Sequence, residues 1–374
     1  MRLAALLVVP LAMAAALLAW SVTPAHRETA PGGFSYVPAR ESWTLSGPQA
    51  ATRRRDAIRR AHLRLPEPIA HAADWLPDDA HATVECRFLA RPAEGTSAKF
   101  DCALPGGDVI KVKYGRNPEI HAETAASRLL ARLGYAADRV AVVDRVRCYG
   151  CPRFPFATMQ MLQFVGRDSL LEPHGYHDGY SEFAMVSVEH RFPAPAIETD
   201  AVKGWGWFEL KDSGAARAEL DALRLLAVFL AHWDNKSENQ RLVCLDREPP
   251  TDEGACRNAL LMIQDLGSTF GPAKVNLGTW TTAPVWRDSR TCLVSMRDLP
   301  FHGGTFPDVH ISEAGRRQLL AGLDALSTAD IRHIFDEAGF PFFQSTTDDR
   351  RDLDAWTSAF ERRVDAIRRA GPCP

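Results

Sequence analysis

His232-Trp233-Asp234-Asn235-Lys236-Ser237-Glu238-Asn239 is the stretch on which the reading of this chain turns. It has the form H-x-D-x-K-x-x-N and follows an apolar run, Leu220 to Leu230, that reads as a buried helix. A carboxylate just past such a helix, with a carboxamide five residues later, is compatible with one particular chemistry. The Asp accepts the proton of an attacking hydroxyl, and the Asn holds a divalent cation. About thirty residues on, Ile263-Gln264-Asp265-Leu266-Gly267 reads as a strand followed by D-x-G, which supplies a second cation-binding carboxylate.

Upstream, from His81 to Tyr114, the apolar period is two. It predicts strands over 82–89, 98–104 and 108–114. The first two join at Glu94-Gly95-Thr96-Ser97, and Pro105-Gly106-Gly107-Asp108 leads into the third. The hairpin tip has two readings: an ordinary turn, or a loop whose backbone N–H groups, Gly95 among them, cover phosphates. The third strand puts Lys111 and Lys113 on one face, with Ile110 and Val112 on the other. Two lysines on one face of an interior strand need an anionic partner, because a buried, unpaired ammonium is costly. A helix follows, with Asn117 as N-cap, Pro118 in its first turn and Gly134 at its end. Glu119 and Glu123 lie one turn apart on it. A lysine strand followed by a glutamate helix can hold the α- and β-phosphates of ATP. A solvated carboxylate pair beside two surface lysines is the plain alternative.

Four stretches in this order carry a resemblance. They are Val112-Lys113-Tyr114-Gly115, Glu119 to Glu123, Trp233 to Asn239, and Asp265-Leu266-Gly267-Ser268-Thr269-Phe270-Gly271. They resemble atypical branches of the protein-kinase-like superfamily: HipA-type toxin kinases, secretory-pathway casein kinases, phosphoinositide kinases and, most closely, exported bacterial kinase-like proteins. The likeness spans roughly residues 82 to 340 and implies an α+β, two-lobed protein-kinase-like fold, with a small, mainly β N-lobe and a mainly α C-lobe. It implies ATP with Mg²⁺, or Mn²⁺, and favours Lys113 over Lys111 as the ATP lysine. By that resemblance Asp234 and Lys236 are catalytic, and Lys111, Lys113, Glu123, Gly95, Asn239, Asp265 and Gly267 bind the nucleotide. Asn239 and Asp265 are then the metal ligands. The chain lacks a full G-x-G-x-x-G loop and an A-P-E stretch, and has Leu-Gly after Asp265. These departures leave the acceptor open. They keep two alternatives alongside phosphate transfer: an inactive pseudokinase binding module, and transfer of AMP.

Composition bounds the rest. With 46% hydrophobic and 24% charged residues the chain is ordinary globular protein, so neither disorder nor a fibre is indicated. A formal charge of −3 gives no reason to expect nucleic acid as a partner, since phosphate backbones need a clustered positive field. After Arg2, Leu3 to Trp20 is uncharged. It reads as a secretory signal cleaved near Ala25, or as an uncleaved anchor. Either reading puts the body outside the cytoplasm: periplasmic, extracellular or membrane-anchored. The membrane is a partner only through that anchor. The domains expected are 1–25 as signal, 26–64 as linker and basic helix, 65–165 as N-lobe and 166–374 as C-lobe.

Eight cysteines support export through disulfides. Cys86 and Cys102 flank the first hairpin and are expected opposite each other; Cys244 and Cys256 flank a second. Cys148-Tyr149-Gly150-Cys151 reads first as a structural disulfide, with redox and metal roles as alternatives. Zinc needs a second pair at ligand spacing, which the sequence lacks.

Residues 47–64 carry Arg53, Arg54, Arg55, Arg59 and Arg60 and read as a helix with a solvated basic face. Strands are expected over 139–147 and 156–165, the second leading into a hinge. Residues 21–45 and 166–212 read as linker and loop. Helices are expected over 214–231, from Ser312 to about 325, from Ser327 or Thr328 to about 338, and over 349–370.

Overall fold

The computed structural model describes residues 23–28, 30, 42–65, 83–91, 95–164, 166, 179–246, 256–271, 274–299, 305–340 and 353–374. In chain order the elements are β1 (Ser42–Leu45), α1 (Ala50–Arg60), β2 (Thr83–Leu89), β3 (Lys99–Ala103), β4 (Val109–Lys113) and α2 (Pro118–Arg132). Then come β5 (Arg139–Tyr149), α3 (Pro155–Phe164), β6 (Tyr180–His190), β7 (Ala196–Thr199), α4 (Arg217–Leu230), β8 (Gln240–Cys244) and β9 (Ala259–Ile263). The last are α5 (Leu277–Thr282), β10 (Leu293–Val294), β11 (Val309–His310), α6 (Glu313–Asp324), α7 (Thr328–Glu337) and α8 (Leu353–Arg369).

This mixed α+β chain divides into two compact units. The first draws its described residues from Met1–Ala39, Ala73–Asn117 and Ala141–Arg191; the second from Arg40–Ala72, Pro118–Val140 and Phe192–Pro374. The apolar N-terminal run lies outside the described residues. Among those described, no helix is long and apolar enough to cross a membrane.

The first unit is built on a closed barrel of order β2-β3-β4-β6-β5. Alternation makes it: Val84, Cys86, Phe88, Phe100, Cys102, Ile110, Val112, Val186 and Val188 share one apolar core. Phe100 and Phe183 meet in it, with the partly buried Tyr114 packed against them, at tilted angles and with centroids 4.9 to 5.7 Å apart. Each fully buried ring is worth about 2–3 kcal/mol. Burial also pushes the Tyr114 hydroxyl up to about 12.

Three expectations fail here. Residues 156–165 are not a strand but helix α3, buried through Pro155, Phe156, Thr158, Met159 and Leu162. Its alanine, methionines, glutamines and leucine are helix formers, and Pro155 suits a first turn. The strand beside β4 comes instead from the stretch read as loop, as β6. Residues 42–45 are not linker either: β1 pairs in parallel with β7 in the second unit.

The cysteines sharpen the picture. Cys86–Cys102 forms, but the two are not opposite each other. Phe88 faces Cys102, while Cys86 faces Cys148 across the parallel β2–β5 pair. Cys148 and Cys151 are not bridged; both are buried thiols, and desolvation raises both. The Cys148 sulfur lies 3.4 Å from that of Cys102, because barrel closure brings β5 beside β2.

The second unit centres on α4. Its Leu220, Leu223, Leu225, Leu226, Phe229 and Leu230 are buried with Trp205, Trp207, Trp280, Trp356 and Phe360. A four-stranded sheet, β1-β7-β8-β9, packs in the same unit. Disulfides Cys244–Cys256 and Cys292–Cys373 close loops of sequence separation 12 and 81. Three disulfides in all fit a chain that folds in an oxidising compartment. Helix α1 is not wholly solvated along its basic face: Arg54 is buried, bonded to Glu209 at 2.6 Å and to the Gly204 carbonyl. Ser312 and Ser327 cap α6 and α7 as expected, accepting from Gly315 and Asp330 N–H.

Candidate functional site

In the second unit, α4 ends in a left-handed Ala231 (φ 54°), with Ala231 and His232 N–H returning to Val228 and Ala227 carbonyls. This tight C-terminal turn is usually built on glycine, and it directs the chain into His232–Asn239. The guanidinium of Arg363, on α8, holds the same helix end. It donates to Val228 O at 3.1 Å, Phe229 O at 3.0 Å, Trp280 O at 2.7 Å and Ala283 O at 2.6 Å.

The loop is fixed mainly through its backbone. Asn239 Nδ2 donates to the Asp234 carbonyl at 2.8 Å, and Asn235 Nδ2 to the His232 carbonyl at 2.6 Å. Trp207 Nε1 donates to the Asn235 carbonyl at 3.1 Å. Gly204 runs so close that a Cβ there would sit 2.0 Å from the Ser237 carbonyl oxygen, so only glycine fits. Lys236 Nζ lies 3.4 Å from Asp234 Oδ1, with both side chains partly exposed.

Asp265 follows β9 in a left-handed conformation (φ 54°), which short polar residues tolerate best. Its carboxylate is on an exposed residue. The buried His232 imidazole hydrogen-bonds the Asp265 backbone; burial pulls its pKa down to about 4, against the opposing pull of Asp265. Trp233 N–H reaches the Ser268 carbonyl and Phe270 N–H the Leu230 carbonyl, so the two loops are tied together. Gly267 lies against α2: a Cβ would come within 2.9 Å of Glu119 Cβ. Its need for glycine is thus steric. Glu123 is buried on the same helix.

The donor set suits a hard cation. With its amide nitrogen spent on Asp234, Asn239 keeps its oxygen for coordination. Asp265 adds an exposed carboxylate. Oxygen ligands of this kind fit Mg²⁺ or Mn²⁺.

In the first unit, Lys111 and Lys113 share one partner that the sequence reading missed. Glu189 of β6, 1% exposed, lies 2.6 Å from Lys111 Nζ and 3.7 Å from Lys113 Nζ. Burial alone would raise its carboxyl, but the two ammonium groups outweigh that and bring it down to about 2. Phe183, Val186, Val188 and the alternation around them were the available signal for β6. Gly95, at the hairpin tip, has φ 82°, and its carbonyl accepts from Gln160 Nε2.

No protein-family model and no curated protein matches this chain. Among solved structures it is similar to the Helicobacter pylori proinflammatory kinase CtkA, at 10% identity and TM-score 0.41, over 76% of this chain and 97% of that one. It is also similar to the Golgi casein kinase with Mn/ADP bound, at 11% identity and TM-score 0.36, over 91% of this chain and 94% of that one. At that level these likenesses do not define a family for the chain.

Proposed function

We propose that the chain is a kinase-like phosphotransferase of an oxidising, exported compartment, moving the γ-phosphate of ATP to a hydroxyl of an acceptor. The observation that carries this is the loop Asp234–Lys236–Asn239, locked by hydrogen bonds to its backbone while the Asp234 carboxylate stays partly exposed. Rigid support with an open reactive group is what positioning catalysis requires.

In the step itself, the acceptor oxygen bonds to the γ-phosphorus as the bond to the β–γ bridging oxygen breaks. Asp234 takes the hydroxyl proton, and ADP leaves with the bridging electron pair. Lys236, beside Asp234, offsets charge on the transferring group. Asn239 and Asp265 would hold Mg²⁺ or Mn²⁺, whose chemistry is to neutralise phosphate oxygens. In the first unit, the lysines of β4 are the cations for the nucleotide's phosphates, and Gly95 offers a phosphate-facing backbone turn. Glu123 and Gly267 support the nucleotide-binding elements of the second unit.

The test is label transfer. The whole chain, incubated with γ-labelled ATP and Mg²⁺ over protein, lipid and carbohydrate acceptors, should transfer label. Asp234→Ala should lower the rate by about 10²–10⁴-fold, the usual worth of a general base. Transfer of α-label instead would mean AMP transfer. No γ-transfer above the variant would leave a binding module.

A further inference from the structure

Resting on the phosphotransfer reading, a further role falls to residues 42–64, which precede the four stretches that carry the resemblance. β1 pairs in parallel with β7, the strand ahead of Gly204. Just past α1, His62 N–H donates to the Ala259 carbonyl, and the His62 carbonyl accepts from Leu261 N–H. Both partners are on β9, the strand that runs into Asp265. Between these two ties stands Arg54, on α1.

Arg54 is 5% exposed, and its bonds converge on one strap of chain, Gly204 to Glu209. Its Nη1 donates to Glu209 Oε1 at 2.6 Å; its Nη2 donates to Glu209 Oε2 at 2.9 Å and to the Gly204 carbonyl at 2.6 Å. Glu209 Oε2 also accepts from Gly206 N–H at 2.8 Å, so the pair closes the strap on itself. A bidentate pair of this kind fixes direction as well as distance. Arg55, Arg59 and Arg60 of the same helix are exposed. Burying a guanidinium is costly, so the one that is buried has its carboxylate with it.

The strap in turn lies on the loop that follows α4. A Cβ on Gly204 would sit 2.0 Å from the Ser237 carbonyl oxygen and 2.2 Å from that of Gln240. The buried Trp207 donates to the Asn235 carbonyl at 3.1 Å, and the buried Trp205 to the Met262 carbonyl of β9 at 3.0 Å. We propose that Arg54 is a positioning residue for the loop Asp234–Asn239: through Gly204 and Trp207 it fixes where that backbone presents Asp234 and Asn239. Its effect falls on the geometry of the chemical step and not on nucleotide affinity.

Steady-state label transfer and hydrogen–deuterium exchange on the whole chain test this. Arg54→Met should lower kcat by about 10- to 100-fold, the cost of a small misplacement at the reacting groups. Its KM for ATP should stay within about twofold of wild type. Exchange across residues 232–240 should rise by about tenfold, with α6 and α7 unchanged. Arg54→Lys should recover part of both losses, since it keeps the charge and loses the fork. Arg55→Met, on the exposed face of the helix, should change neither. If Arg54→Met does not fold, Glu209→Gln, which keeps the shape of the pair, takes its place with the same expectations.

Arg54→Met with wild-type kcat and wild-type exchange at 232–240 would overturn the assignment and leave the phosphotransfer reading standing. So would exchange raised equally in α6 and α7 with kcat per folded molecule unchanged, the mark of a merely structural residue. Wild type that transfers no label would overturn the phosphotransfer reading, and exchange at 232–240 in Arg54→Met would still decide whether Arg54 positions the loop.

Discussion

The lysine strand of the first unit and the acidic loop of the second manage charge in opposite ways. Lys111 and Lys113 are matched inside the protein by a buried carboxylate, Glu189. Asp234 and Asp265 are held by their backbones, through Asn239 and His232, and their carboxylates stay partly or fully exposed. The cationic side is therefore preset by the fold, because a buried ammonium without a counter-ion is too costly. The acidic side is left for a cation to complete. Substitutions should then separate cleanly: those on the acidic loop strike activity and spare the fold, while those in the lysine row strike the fold as well.

The largest effect breaks the acidic side. Asp265→Ala is expected to lower label transfer by about 10³-fold or more. Its unfolding midpoint should fall by only a few degrees, the cost of an alanine at φ 54°, because the carboxylate itself is exposed. Next is Glu189→Ala, which removes the buried carboxylate 2.6 Å from Lys111 and should cost about 3–5 kcal/mol in urea unfolding. If the two variants behaved alike in the unfolding assay, the contrast between the regions would fail.

His232 sharpens the comparison through pH. Its folded pKa, about 4, lies below the unfolded value near 6.5, so the unfolded chain takes up the proton first as pH falls. Stability from this group is complete above about pH 6.5, falls through the window to about 4 and then levels off. The total is about 3 kcal/mol. His232→Gln should flatten that part of the stability–pH curve. Gly267→Ala is the smallest. A new Cβ 2.9 Å from Glu119 Cβ should cost about 1–3 kcal/mol, read as a lower midpoint with the denaturant slope unchanged.

Legibility followed the same division. The acidic loop is local in sequence: Asp234, Lys236 and Asn239 lie within one turn and its flank, and the apolar run that ends at Leu230 announces it. The strands β2, β3 and β4 were readable because one face is buried and period two survives. Glu189 was not readable, since its link to Lys111 is made only by the β4–β6 pairing, across 78 residues of chain. The burial of β6 is also broken by exposed residues near Met185, which hides its alternation, and Met185 itself has φ 50°. Helix α3 misled because Phe156, Met159, Met161 and Phe164 also suit a strand. Cys148 and Cys151 misled because short spacing suggests a bridge, while barrel closure brings Cys148 to Cys102 instead.

The claim that the acidic loop awaits a cation is tested most directly by calorimetric binding of ATP with and without Mg²⁺, on wild type and Asp265→Ala. The structure predicts that wild type binds at least about tenfold more tightly with Mg²⁺, and that Asp265→Ala erases this difference. Equal affinity with and without Mg²⁺ in wild type, or the full difference retained in Asp265→Ala, would contradict it.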